Sequence, residues 1–160
     1  MSEVERFLRQ AIELARQTAA AGGRPFGAVL VKDGAVIATG VNEVVATGDP
    51  TAHAELQAIR AASRALGTPR LDGCAIYASG HPCPMCLSAM YLTGVASVHY
   101  AQSQDDAAPF GLSTATIYAD LAKPAAQRSL TMVHAPVELD GEGPYQAWQR
   151  AQEEFQRRDH

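Results

Sequence analysis

The sequence lacks three things: a long apolar run, an excess of basic charge, and enough cysteine for a disulfide framework. No hydrophobic stretch approaches the ~20 residues that a membrane-crossing helix requires. The formal net charge of -4 argues against a broad nucleic-acid-binding face, which would be basic. Three cysteines cannot all pair, so a reducing compartment is the expectation. The acidic start, Met1-Ser2-Glu3-Val4-Glu5-Arg6, does not suit a signal or transit peptide. Together these absences point to a cytoplasmic protein with no membrane contact. No internal repeat or low-complexity segment is found. What is present is core material: 160 residues, 47% of them hydrophobic, are the make-up of one globular domain.

Periodicity divides most of the chain. Phe7, Leu8, Ala11, Ile12, Leu14 and Ala15 recur at helical spacing, which predicts a helix over residues 3–20. Phe26–Val31 and Ala35–Val41 flank Lys32-Asp33-Gly34, a hairpin signal. A second helix is expected after Asp49-Pro50, with Asp49 as its cap and Gly67 as its end. Cys74–Ala78 reads as a short buried strand, with Cys74 a buried thiol. Pro84–Tyr91 reads as a helix capped at Cys83, and Val95–Ala101 as a strand. The order α-β-β-α-β-α-β implies a mixed sheet with helices on both faces, its hairpin antiparallel and its later strands parallel. Residues 102–111 read as a loop, Thr114–Ala122 as a short helix, Ser129–Leu139 as a strand and Tyr145–Arg157 as a last helix. All of this forms a single domain over 1–160, in which 140–160 is a candidate detached arm.

Two short stretches carry the chemistry. One is Thr51-Ala52-His53-Ala54-Glu55; the other, about thirty residues on, is Pro82-Cys83-Pro84-Met85-Cys86. His-x-Glu followed by Pro-Cys-x-x-Cys is the signature of zinc deaminases that act on nucleobases. His53, Cys83 and Cys86 make three protein ligands, the number of a catalytic zinc that keeps its fourth position for water. Cys83 and Cys86 share one face of a first helical turn, where the helix dipole favours thiolates. His53 and Glu55 would diverge on a regular helix, so they share a pocket only at its start. Two helix N-termini converging on one metal is therefore the expectation. Glu55 is then the base that takes a proton from water and returns it to the ring and to the leaving ammonia.

Other readings of the same residues weaken on context. A redox Cys-x-x-Cys has no use for a His-x-Glu partner. A zinc-stabilised binding module without turnover would need a fourth ligand, for which His81 is the candidate, and it would leave Glu55 without a purpose. His99 is expected to pack in its strand. Arg150, Arg157 and Arg158 are diluted by Glu153 and Glu154 and read as a solvated helix face, which disfavours nucleic acid as a partner.

With those residues in hand, the chain resembles the cytidine deaminase superfamily, and within it the small bacterial guanine deaminases. The resemblance runs through Pro25-Phe26-Gly27-Ala28-Val29, Asn42-Glu43, Asp49 to Glu55, Pro82 to Leu87, Asp106-Ala107-Ala108, Ile117-Tyr118 and Gln146-Ala147-Trp148. The core motifs are shared with tRNA adenosine deaminases, and the tail from Asp106 to Trp148 favours the guanine branch. The resemblance implies a three-layer α/β/α cytidine-deaminase-like fold, a Zn2+ cofactor, and hydrolysis of an amino-substituted base, with guanine to xanthine the first choice. It implies that Asn42 bonds the base, that Phe26 packs on its ring, and that Ala54 lies against it. It further implies a homodimer whose swapped C-terminal arm brings Phe155 to the partner's site. The chain departs from that branch at Gly80-His81, where Cys-Glu is usual, and at Thr114, which stands where an aspartate is usual. Thr114 is therefore a candidate specificity residue. The alternatives to guanine are a nucleoside such as guanosine or cytidine, an aminotriazine, or tRNA adenosine.

Overall fold

Four strands form one mixed sheet in the order β2-β1-β3-β4, and the computed structural model describes all of residues 1–160. The chain divides into two compact units, Met1–Lys123 and Pro124–His160. The first unit holds the sheet. Its helix α1 (Glu3–Ala20) is capped by Ser2, whose hydroxyl accepts from Glu5 N–H, and it buries Phe7, Ala11 and Ala15 at four-residue intervals. Strands β1 (Gly27–Lys32) and β2 (Ala35–Val41) make the expected antiparallel hairpin. Its turn, Asp33-Gly34, has φ of 50° and 77°, the left-handed pair that this kind of two-residue turn requires. β3 (Cys74–Gly80) is antiparallel to β1, and β4 (Ser97–Gln102) is parallel to β3.

β1 is buried along both faces, and its alternation sorts the core into two layers. Val29 and Val31 pack with Phe7, Ala11 and Tyr77 beneath α1. Ala28 and Leu30 pack on the other face with Ile76, Met90 and the apolar stripe of α3 (Ala54–Leu66), namely Ala54, Ala58, Ile59 and Ala62. The three-layer arrangement expected from the resemblance is present. Gly40 sets the spacing of one layer: a Cβ there would overlap the Ala54 carbonyl oxygen and lie 2.6 Å from Ala58 N. The backbone of β2 therefore touches the first turn of α3, which carries the motif residues.

Several details differ from the sequence reading. The helix after Asp49-Pro50 does not start at Asp49. The Asp49 carboxylate accepts from Thr51 N–H at 2.8 Å and from its hydroxyl at 2.7 Å, so its oxygen is spent in a local turn. The first helical bond comes later, Gln57 N–H to His53 O, and His53 is the N-cap. A short helix α2 (Val44–Thr47) intervenes after β2. Within the expected loop 102–111 lies a helical turn, α5 (Gln104–Ala107), held by a reciprocal Ser103–Asp106 capping box.

α4 (Pro84–Thr93) has Cys83 at its N-cap and ends at Gly94 in the left-handed region. α6 (Ala115–Leu121) follows Thr114. In the second unit, α7 (Pro144–Arg158) forms as expected, and Arg150 is ion-paired with Glu142 and Glu154. Residues 129–139 form no strand. Leu130, Met132, Val133, Val137 and Leu139 are exposed there, so the apolar pattern that suggested a strand is not answered by a sheet partner in the chain. No helix is long and apolar enough to cross a membrane.

Candidate active site

The site gathers at the carboxyl ends of the parallel pair β3 and β4, where the start of β1 lies antiparallel beside the end of β3. From β3 the chain runs through Gly80-His81-Pro82 into the cap of α4. From β2 it runs through Asn42 and the Asp49 turn into the cap of α3. Two helix N-termini therefore meet, as the motif spacing predicts. The delayed start of α3 makes this possible. His53 is extended (φ -74°, ψ 152°), so its ring leaves the helix path, while Glu55 lies in the first turn.

His53 Nδ1 is 3.4 Å from Cys83 Sγ and 3.6 Å from Cys86 Sγ. The three ligand atoms all lie within 4.8 Å of one another. Around a tetrahedral zinc with Zn–S of about 2.3 Å and Zn–N of about 2.0–2.1 Å, a nitrogen and a sulfur stand about 3.6 Å apart. The donors fit that ion. Their protonation chemistry agrees. A hydrogen bond from Cys86 draws the Cys83 thiol down in pKa against the effect of burial. The same bond and burial push Cys86 up, so the two sulfurs compete for one negative charge. The bond to Cys83 raises His53, while burial opposes it. A doubly charged cation between the three satisfies all of them at once.

A cavity of about 200 Å³ opens beside these donors. Glu55, Ala54, Asn42, Phe26 and Thr114 all line it together with His53 and Cys83, so the residues singled out from the sequence share one space. Glu55 is 6% exposed, and burial raises its carboxyl above the ordinary carboxylate range, partly offset by a bond from Cys86. Asn42 is also buried, and its Oδ1 accepts from Val44 N–H at 3.0 Å. That bond fixes the amide's orientation and leaves Nδ2, a donor, uncommitted. Phe155 lies on α7 in the second unit and is exposed.

His81 is not a fourth ligand. Its Nδ1 faces Pro82 O at 2.9 Å and Gln104 Nε2 at 3.2 Å, and its ring meets Tyr100 and Tyr118 edge-on. The Tyr118 hydroxyl donates to Pro82 O, tying α6 to the turn that presents Cys83. His99 is stacked on Tyr77, ring centroids 5.1 Å apart, as a packed residue.

The sequence reading missed Arg24, Leu112 and Ser113, which also line the cavity, and Gln104, which holds Thr114. Arg24 and Leu112 carry no local pattern. Ser103-Gln104-Asp105-Asp106 does: Ser-x-x-Asp is a capping signal that would have placed Gln104 on a helical start.

Comparison with known proteins agrees with this geometry. The chain is 46% identical to the guanine deaminase of Bacillus subtilis (strain 168) over 145 residues, 90% of this chain and 92% of that one. An X-ray structure of guanine deaminase from the same species superposes with a TM-score of 0.83, covering 91% of this chain and 93% of that chain. A guanine deaminase of Nitrosomonas europaea matches with a TM-score of 0.63 at 34% identity, over 68% of this chain and 63% of that chain. A tRNA-specific adenosine deaminase of Aquifex aeolicus is 40% identical over 97 residues, 61% of this chain and 64% of that one. Residues 1–102 match the model of the cytidine and deoxycytidylate deaminase zinc-binding region. The chain belongs to that family and is a zinc-dependent deaminase.

Proposed function

We propose that this enzyme hydrolyses the amino group of a free purine-like base, guanine first, releasing ammonia and leaving a carbonyl. The observation that carries this reading is the buried Glu55 carboxylate, facing the same small cavity as His53 and Cys83. His53, Cys83 and Cys86 would hold a zinc ion, which would supply Lewis-acid activation of the water that adds to the amino-bearing carbon. Glu55 would carry one proton of the attacking water to the adjacent ring nitrogen, and then carry the remaining hydroxyl proton of the adduct to the departing amine as the carbonyl forms. Its raised pKa suits a group that must both accept and return a proton. Asn42 Nδ2 donates to an acceptor on the base edge, Phe26 covers the ring face, and Ala54 forms the floor beside His53.

Two observations support a free base over a polynucleotide. A cavity of about 200 Å³ is smaller than the ~300–1,000 Å³ typical of drug-sized ligands, so it suits a single ring system. The relationship to the Bacillus guanine deaminase spans 145 residues, so it must extend beyond the first unit. The tRNA deaminase match of 97 residues does not require the second unit. That unit, Pro124–His160, exposes Leu130, Met132, Val133, Val137, Tyr145, Trp148 and Phe155. We assign these to a homodimer in which the C-terminal arm lies on the partner and Phe155 closes the partner's cavity.

The test is ammonia release from guanine, guanosine, cytosine and ammeline, with xanthine identified as the guanine product. Turnover of a free base above the nucleosides is the expected result. A preference for guanosine, or turnover only on tRNA, would overturn the reading.

A further inference from the structure

Thr114 has an unusual set of hydrogen bonds for a helix cap. A threonine at this position ordinarily turns its hydroxyl oxygen to the first-turn N–H groups of its helix. Thr114 makes no such bond to α6. Ser113 supplies a local bond instead, accepting from Ala115 N–H at 3.2 Å. The Thr114 side chain is held by Gln104, ten residues earlier on α5. Gln104 Nε2 donates to Thr114 Oγ1 at 2.8 Å, and Gln104 Oε1 accepts from Thr114 N–H at 2.9 Å.

The second of these bonds decides the first. A backbone N–H can only donate, so the oxygen of the Gln104 amide must face Thr114 N and its nitrogen must face Oγ1. An amide nitrogen has no lone pair to accept with. The Thr114 hydroxyl hydrogen therefore cannot point at Nε2 and is left for the cavity that Thr114 lines. Accepting one bond also strengthens the hydroxyl as a donor. The Gln104 side chain is itself held by its paired bonds to Thr114, and α5, which carries it, is locked by its capping box.

We infer that Gln104 is a positioning residue that fixes Thr114 as a hydrogen-bond donor, so that this wall selects a base with an acceptor at the matching ring position. The inference rests on the free-base reading above. It makes the Thr114 side of the cavity a donor wall, where an ionised carboxylate could only accept. With Asn42 Nδ2 also free to donate, two walls of the cavity read acceptors.

The experiment uses full-length zinc-loaded enzyme and four bases: guanine, 2-aminopurine, 3-deazaguanine and 7-deazaguanine. 2-Aminopurine lacks the O6 acceptor, 7-deazaguanine the N7 acceptor and 3-deazaguanine the N3 acceptor. Because N3 is also the ring nitrogen that Glu55 would protonate, 3-deazaguanine is read by Ki alone. kcat/KM and competitive Ki are measured for native enzyme, Thr114→Val and Gln104→Glu. In native enzyme, the analogue lacking the acceptor that meets Thr114 should lose about tenfold or more, the cost of a polar group left unpaired. Thr114→Val removes the hydroxyl and should shrink that one penalty to less than about threefold. Gln104→Glu can still accept from Thr114 N–H but cannot donate to Oγ1, so the hydroxyl turns to the new carboxylate. The same penalty should shrink by the same factor, although Gln104 lies behind Thr114. If Gln104→Glu fails to fold with zinc, Gln104→Met takes its place. It offers Oγ1 no donor, so the hydroxyl loses its fixed direction and the penalty should fall below its native size, though by a smaller factor.

Native ranking retained in the Gln104 variants would overturn the role of Gln104. Native ranking retained in Thr114→Val would overturn the donor wall itself. An enzyme that releases ammonia from none of the four bases would overturn the free-base reading, and this inference with it. That result is distinguishable because the first two outcomes require turnover.

Discussion

Cys83 Sγ lies 3.4 Å from His53 Nδ1 across thirty residues of sequence, because each residue caps a helix that starts at the same point in space. Cys83 ends the segment leaving β3, and His53 ends the turn that follows β2 and α2. The metal site is thus made by two helix starts and needs no third element. Both starts contribute partial positive charge to the thiolates.

Glu55→Gln should keep zinc and fold but lose turnover. The amide fills the same buried volume and cannot exchange a proton. A loss of about 10²–10⁴-fold in kcat is expected for a general acid/base, with unchanged zinc content by mass spectrometry. Near-native kcat on the best base would remove Glu55 from the proton path.

Thr114→Asp places a carboxylate in the cavity where Thr114 offers a hydroxyl. An ionised carboxylate can only accept, so it would face the acceptor that the hydroxyl meets, and guanine kcat/KM should fall about tenfold or more and drop in rank against cytosine and ammeline. Steady-state kinetics on the four substrates reads the ranking directly, and an unchanged order would mean that this wall does not meet the reacting base.

Gly40→Ala tests the link from fold to site. Its Cβ would collide with the Ala54 carbonyl, one residue beyond the metal ligand His53. Overpacking of this kind costs about 1–3 kcal/mol, and relief requires α3 to move. A lowered urea midpoint together with weaker zinc affinity is the expected pair. Lost stability with native zinc affinity would show that α3 shifts without carrying His53.

Much of this was legible in the sequence, because the strongest signals were local. The 3.6-residue period of α1, the Asp33-Gly34 turn, the Gly67 stop and the spacing of Cys83 and Cys86 each act within a few residues. Asp49 misled for a physical reason: aspartate before proline caps a helix or closes a local turn, and only the Thr51 hydroxyl and N–H decided which. The strand expected over 129–139 failed because a strand needs a partner, which local periodicity does not reveal. Arg24 and Leu112 reach the cavity through tertiary placement alone, and no spacing rule marks them.

Deleting residues 141–160 tests the proposed arm. Activity should be lost while His53, Cys83 and Cys86 still bind zinc, and the mass measured by light scattering should change from dimer toward monomer. A truncated enzyme with native kcat would assign Phe155 and its neighbours to packing only.

The most direct test of the central claim is zinc titration of activity. Native enzyme should contain about one zinc per chain, lose ammonia release when a chelator removes it, and recover on adding about one equivalent. Cys83→Ala and Cys86→Ala should neither hold zinc nor recover. Full ammonia release from zinc-free enzyme would contradict the account.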